Sequence, residues 1–270
     1  MAGDLTHPIR MIIEFIGTPG SGKTTLLPSV IETFKECGIQ AHTVVDASRP
    51  YAHRTLVGKF ISHLTPERLR PPLMWQVFYQ LSAIFRISFF IKHPRLVWQV
   101  YTSQKRRPPG AYLRERRILY WFIRTTGYYE FLTTYSRPGE AIIFDEGFIH
   151  RVVQLNVSDV EEPQPSQILN YVDLLPRPDL VIFIHASPEA CMDRIYKRGI
   201  WEHFRSKKPE EIARYIANAH CVVKLAVDRV KAKGWEVIEI DNGNDDLISS
   251  QVELRNKLIQ LDLKARASIA

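Results

Sequence analysis

Cysteine is scarce in this 270-residue chain: Cys37, Cys191 and Cys221 lie far apart and form no CxxC pair. An odd, dispersed set excludes a disulfide framework and a thiolate zinc site, and is expected to be three buried thiols in a reducing compartment. Long apolar runs are also lacking. The most lipid-like stretch, Leu73 to Tyr101, is cut by Gln76, Gln80, Arg86, Lys92 and Arg95. It falls short of the roughly 18 uninterrupted apolar residues of a spanning helix. The opening residues Met1 to Pro8 show no basic region followed by an apolar one, so no signal peptide is expected and a cytoplasmic location is. No internal repeat or low-complexity tract is present.

What is present is an ordinary globular composition, with 45% hydrophobic and 24% charged residues, which excludes disordered and fibrous classes. A net charge of +7 suits an anionic ligand, nucleic acid or a membrane surface, and does not choose among them. Five short apolar segments, Met11 to Ile16, His42 to Asp46, Ala141 to Asp145, Leu180 to His185 and Glu236 to Asp241, alternate with helical patterns. That alternation predicts repeated βαβ units, hence an α/β fold with a five-stranded parallel sheet and helices on both faces. Length fits a single domain over 1–270. From about 51 to 137 no strand is evident, and a basic, aromatic helical insertion is expected, interrupted at Arg70-Pro71-Pro72, His93-Pro94 and Arg107-Pro108-Pro109-Gly110. Helix starts are predicted at Pro66, Pro188 and Pro209, and a surface loop at Val160 to Ser166. Pro28 falls inside the first predicted helix and can bend it.

The strongest motif is Gly17-Thr18-Pro19-Gly20-Ser21-Gly22-Lys23-Thr24, followed by Thr25. It matches the P-loop pattern and has the required strand before it and helix after it. Its glycines let backbone N–H groups turn toward phosphates, Lys23 reaches the β- and γ-phosphate oxygens, and Thr24 can hold Mg²⁺. ATP with Mg²⁺ is therefore the expected ligand, and a P-loop NTPase three-layer fold the expected class.

Several other residues fit the same chemistry. Asp145 and Glu146 end the third predicted strand, where a carboxylate can touch magnesium and its neighbour can act as a base. Asp46 and Arg49 follow the second strand at the edge where open α/β sheets bind ligands, one suited to a hydroxyl proton and the other to an anionic group. Arg194, Arg198 and Arg205 belong to a basic segment over about 194–209. Arg194 and Arg198, at i and i+4, share a helical face and can close on phosphates as a lid. Each of these residues also has an ordinary reading as a solvated surface charge, with function preferred for Asp145 and for the basic segment.

Taken in order, the P-loop, Val45-Asp46-Ala47-Ser48-Arg49-Pro50, the acid of strand three, Leu174 to Ile184 and the basic segment Arg194 to Arg205 resemble the thymidylate kinase and deoxynucleoside kinase group. The resemblance covers most of the chain outside the insertion. It implies transfer of the ATP γ-phosphate, with Mg²⁺, to a nucleoside or nucleoside monophosphate. The group places an arginine directly after the strand-three acid, whereas here Glu146 and Gly147 stand there. Arg151, one helical turn on, can supply that charge or can be a surface residue.

Other P-loop classes lack their marks, since neither Asn-Lys-x-Asp nor Leu-Ser-Gly-Gly-Gln occurs. The competing expectation is a nucleotide-dependent switch in which ATP orders the basic insertion for a partner. Lys105, Arg106, Arg107, Arg114, Arg116 and Arg117, interleaved with Trp98, Tyr101, Tyr112 and Tyr120, also fit a nucleic-acid surface or an anionic membrane surface, each less favoured than a small-molecule acceptor. A homodimer stays open.

Overall fold

A computed structural model of the chain describes residues 10–105, 112–158, 161–199, 204–205, 207–243 and 247–267. The elements are β1 (Met11–Ile16), α1 (Lys23–Glu36), β2 (Gln40–Thr43), α2 (Val44–Arg54), α3 (Leu56–Leu64), a 3-10 turn (Glu67–Leu69), α4 (Arg70–Lys92), α5 (Pro94–Lys105), α6 (Tyr112–Tyr135), β3 (Glu140–Phe144), α7 (Phe148–Asn156), α8 (Pro165–Leu174), β4 (Leu180–His185), α9 (Pro188–Arg198), α10 (Pro209–Ala232), β5 (Val237–Asp241) and α11 (Leu247–Ala267). The five strands make one sheet in the order β2-β3-β1-β4-β5. Its pairs run parallel, with Ile13 opposite Leu180, Gln40 opposite Glu140 and Val181 opposite Val237. With helices on both faces, this is the α/β fold with a five-stranded parallel sheet expected from the strand pattern.

The chain divides into two compact units, one of Met1–Ile12 with Gly38–Phe144 and one of Ile13–Cys37 with Asp145–Ala270. In the first, Ala47, Tyr51 and Ala52 of α2 bury against Met74, Val77 and Phe78 of α4 and Phe131 and Leu132 of α6. Phe78 meets Phe131 edge to face, ring centroids 5.2 Å apart. The two long helices approach closely at Gly127, where a β-carbon would stand 2.2 Å from the Ser82 carbonyl oxygen. One ion pair ties this unit together: buried Glu140 of β3 accepts from Arg54, from the Tyr51 hydroxyl at 2.8 Å and from the Arg137 N–H at 2.8 Å. Burial alone would raise its pKa. Arg54, the Arg137 N–H and the Tyr51 hydroxyl together hold it below the usual carboxylate value.

In the second unit α10 buries Ile212, Ile216, Ala219, Val223, Ala226 and Val230 along one stripe. Their spacing of three and four residues is the helical period, and each fully buried Val or Ile contributes roughly 1.5–3 kcal/mol. The unit also contains a buried carboxylate in mid-strand. Glu14 of β1 is 1% exposed, and its Oε2 accepts the Ile149 N–H at 2.7 Å, with the Phe148 N–H also directed to it. It thus satisfies the first turn of α7, where helix N–H groups have no carbonyl of their own. Gly147 lies against this carboxylate, and a β-carbon there would meet Glu14 Cδ at 2.5 Å.

Several boundaries differ from the sequence expectation. Strand β2 stops at Thr43, because the Thr43 hydroxyl accepts the Asp46 N–H at 3.1 Å and caps α2. Asp46 therefore sits in a first helical turn instead of ending a strand. Arg70-Pro71-Pro72 opens α4 rather than interrupting a helix, with the prolines where N–H groups would go unused, and Pro66 precedes only the 3-10 turn. The break at His93-Pro94 holds. The Arg107–Gly110 break and Val160 lie outside the described residues, and the expected loop already enters α8 at Pro165. Of the three thiols only Cys191 is buried; Cys37 is half-buried and Cys221 exposed. Cys221 falls on the solvent side of the α10 stripe, so the expectation of three buried thiols holds for Cys191 alone.

Replacing Glu140 by alanine should cost about 3–5 kcal/mol in urea denaturation, because it strands a partly buried guanidinium and a buried phenol. A loss below about 1 kcal/mol would remove the pair from the framework of this unit. Glu14 gives a pH signature. Burial, only partly offset by the two N–H donors and Arg151, raises its pKa from 4.5 to about 7. Its contribution is full below the unfolded value and is lost as pH rises through about 7, a change on the order of 3 kcal/mol. Across this interval the stability of the parent chain should fall relative to that of Glu14→Gln. A difference between the two that stays constant from pH 4.5 to 8 would show that Glu14 does not titrate there.

Candidate functional site

The loop Gly17–Thr25 joins β1 to α1 within the second unit, and its shape depends on glycine. Gly20 and Gly22 have φ of 87° and 98°, a region that side chains resist. They also leave no room for a β-carbon, which at Gly20 would lie 2.6 Å from the Cys191 carbonyl oxygen and at Gly22 2.2 Å from Asn242 Nδ2. Gly17 is closed in likewise, 2.5 Å from the Ile184 carbonyl oxygen. The loop is thus held on three sides, by β4, by α9 and by the turn after β5. Asn242 donates to the Ser21 carbonyl at 2.8 Å and accepts from Arg194 at 2.7 Å through its own carbonyl, so Arg194 of α9 is linked to the loop through one residue. The Ser21 hydroxyl is buried and makes no hydrogen bond.

Lys23 Nζ donates to the carbonyls of Gly17 at 2.7 Å and Thr18 at 3.2 Å, which places the ammonium over the loop it belongs to. Desolvation lowers its pKa to about 8 against the favourable fields of Glu146, Cys191 and Asp145, with Arg198 adding to the lowering. An anion bound beside Lys23 would reverse that balance and favour the ammonium. Thr24 and Thr25 are exposed at the start of α1, while Thr18 and Pro19 are buried.

The segment after β3 supplies the acids. Asp145 is half-buried and accepts the Glu146 N–H through Oδ1 at 3.1 Å, and Glu146 is exposed. Both act electrostatically on Lys23 and on Arg151. Arg151 is 4% exposed, so it is no surface residue. It pairs with Glu146 at 3.5 Å and donates to Gln154 Oε1 at 2.6 Å. Burial lowers its pKa, opposed by Glu146, Tyr171, Asp145 and Glu14. His150 beside it is buried, its Nδ1 makes no hydrogen bond, and burial with the fields of Lys23 and Arg151 keeps it neutral.

The site therefore brings together Lys23, Asp145, Glu146, Arg151 and Arg198, with Arg194 joined to the loop through Asn242. Arg198 is exposed at the end of α9, where Gly199 turns the chain with φ of 100°. Arg205 is exposed in a turn; residues 200–203 and 206 of the expected lid lie outside the described residues. Asp46 and Arg49 are carried by the other unit, both exposed on α2, with Asp46 Oδ2 accepting the Thr43 hydroxyl at 2.7 Å. Sequence reasoning passed over Glu14, His150, Cys191 and Asn242. Only Glu14 left a signal, as the single charge in the apolar run Met-Ile-Ile-Glu-Phe-Ile. The Cys191 thiol is pushed up to about 11 by burial, so it is no nucleophile at neutral pH.

The residues present fit a nucleotide with magnesium. The loop's glycines leave no room for a β-carbon against Ile184, Cys191 and Asn242, which holds the backbone in its turn, and the start of α1 offers N–H groups without helical acceptors. Among the described residues no three His, Cys, Asp or Glu side chains converge as a self-sufficient metal cage. Thr24 and Asp145 offer hard oxygen donors of the kind Mg²⁺ takes together with phosphate and water.

No protein-family model and no curated protein matches the chain. Solved structures of similar fold include deoxyadenosine kinase from M. mycoides with bound dATP, 14% identical, over 92% of this chain and 99% of that one, with a TM-score of 0.43. The same enzyme with the products dCMP and a flexible dCDP bound is 17% identical over 93% and 99%, TM-score 0.41. With bound dCTP it is 15% identical over 93% and 100%, TM-score 0.39.

Proposed function

We propose that the chain is an ATP- and Mg²⁺-dependent phosphotransferase acting on a small acceptor of the nucleoside or nucleoside monophosphate class. The observation that carries this reading is the glycine loop closed against β4, α9 and Asn242, with Lys23 over it and Asp145, Glu146 and Arg151 acting on that lysine. A turn with no ligand has no use for a desolvated ammonium, two carboxylates and a buried guanidinium in one place.

In this reading the residues Gly17 to Thr25 bind the phosphates, and Thr24 and Asp145 hold Mg²⁺, which when bound supplies neutralising charge to the phosphate oxygens. The acceptor oxygen, a hydroxyl of a nucleoside or a phosphate oxygen of a nucleoside monophosphate, bonds to the γ-phosphorus as the bond from that phosphorus to the β,γ-bridging oxygen breaks. Where the acceptor is a hydroxyl its proton passes to the Glu146 carboxylate, and ADP departs. Arg151 is assigned to the acceptor. Arg194, Arg198 and Arg205 belong to the basic segment that offsets charge on the transferring group. Phosphoryl transfer leaves the protein mainly positioning and charge neutralisation, and this inventory supplies both.

ATP consumption measured against a panel of nucleosides, nucleotides, sugars and other small alcohols tests the proposal directly. A nucleotide-dependent switch would bind ATP and leave every acceptor unchanged. Lys23→Ala should abolish ATP binding or turnover while the thermal midpoint stays within a few degrees, since the residue donates only to its own loop. Unchanged affinity and rate in that variant would end the phosphate-site assignment. Arg198→Ala should lower kcat by about a hundredfold or more with a smaller change in the ATP dissociation constant. Parent-like turnover would reduce Arg198 to a surface charge.

A further inference from the structure

The charge of the chain is unevenly divided. The unit of Met1–Ile12 and Gly38–Phe144 carries 17 Lys and Arg against 6 Asp and Glu, a net +11, whereas the other unit carries 19 against 23, a net −4. Two of the six acids, Glu130 and Glu140, are buried in ion pairs with Lys92 and Arg54. Large exposed hydrophobic residues gather in the same basic unit. It holds 14 of the 18 among the described residues, from Val45 to Trp121.

Their arrangement on α3 is the reverse of that expected for a helix that packs by its apolar face. The buried residue of α3 is Gly58, whose β-carbon would lie 1.9 Å from the Ala52 carbonyl oxygen, and Ser62 turns back to the Gly58 carbonyl at 2.6 Å. Leu56, Phe60 and Leu64, one turn apart, are 84%, 66% and 65% exposed, with Lys59 and His63 exposed among them. On α4, Ile84, Ile87 and Ile91 follow helical spacing and are exposed, and α5 exposes Arg95, Trp98 and Tyr101. Tyr120 and Trp121 stand exposed on α6 around the Arg124 guanidinium, 4.9 Å from the Trp121 ring. An isolated exposed leucine needs no explanation, but helical stripes of them do.

We propose that this unit docks on an anionic lipid bilayer surface through the outward faces of α3, α4 and α5. Aliphatic side chains gain by entering the acyl boundary, tryptophan and tyrosine suit the headgroup level, and surrounding lysine and arginine meet anionic headgroups. Nucleic acid would use the charge and the aromatic rings but has no use for stripes of leucine and isoleucine. Among the described residues no helix is long and apolar enough to cross a membrane, so the contact proposed lies at the surface. The charge supplies the choice of partner, because an apolar protein partner would not call for +11 in this unit alone.

The test is co-sedimentation of the full chain with phosphatidylcholine vesicles, with and without phosphatidylglycerol. Binding should require phosphatidylglycerol, weaken with added salt, and fall about tenfold in partition coefficient in Phe60→Ser/Ile87→Ser. Trp98→Ser, on a separate helix, should independently weaken it. Thermal midpoints of all variants, exposed as these positions are, should match the parent. Protein left in the supernatant, equal binding to neutral vesicles, or parent-like binding by both variants would overturn the proposal. So would two alternatives in the absence of vesicle binding: RNA binding with a steep salt dependence, or a dimer in sedimentation equilibrium that Phe60→Ser/Ile87→Ser dissociates.

Discussion

A carboxylate buried in the middle of a strand must find donors or give up its charge, and in this protein much of the site follows from how Glu14 resolves that choice. Its donors are the N–H groups at the start of α7. The contact fixes the helix directly after Asp145 and Glu146, demands glycine at position 147, and sets His150 and Arg151 into buried positions beside the loop. Arg151 can be buried so deeply because Glu146, Asp145 and Glu14 offset part of its desolvation. Strand, cap and guanidinium are one electrostatic unit, and the acids that act on Lys23 are placed by the same turn.

That unit is arranged around poorly hydrated positive charge. Lys23 leans on the carbonyls of its own loop, His150 is kept neutral, and Arg151 shares the fields of Glu146 and Asp145 with the lysine. Desolvation makes each cation costly, and an anion lying across the loop would offset that cost for several at once. Fixed dipoles and poorly hydrated cations of this kind need little reorganisation when an anion binds.

The sheet and the loop were legible in the sequence because they rest on local signals: apolar runs of strand length, and glycines at the spacing of the P-loop pattern. Four strands stand within about a residue of expectation. The second strand was misjudged because Thr43 competes for Asp46 as a helix cap, and a capping threonine after an apolar strand looks like more strand. Arg151 stood undecided in the sequence, since burial of an arginine is decided by Glu14, 137 positions away in the chain and visible only once β1 and α7 meet. Asn242 is a stronger case, as its role arises wholly from where β5 ends beside Ser21.

The helical unit shows the complementary limit. Composition gave a basic, aromatic insertion, yet the pattern on α3 reads in sequence like any amphipathic helix facing a core. What inverts it is Gly58: without a side chain there, the helix approaches the end of α2 through its backbone, and the leucines and Phe60 are turned outward. Folding of the monomer does not reward that orientation, since burying three such side chains would contribute several kcal/mol. The orientation therefore points to a second surface that covers them, and the surrounding positive charge narrows what that surface is.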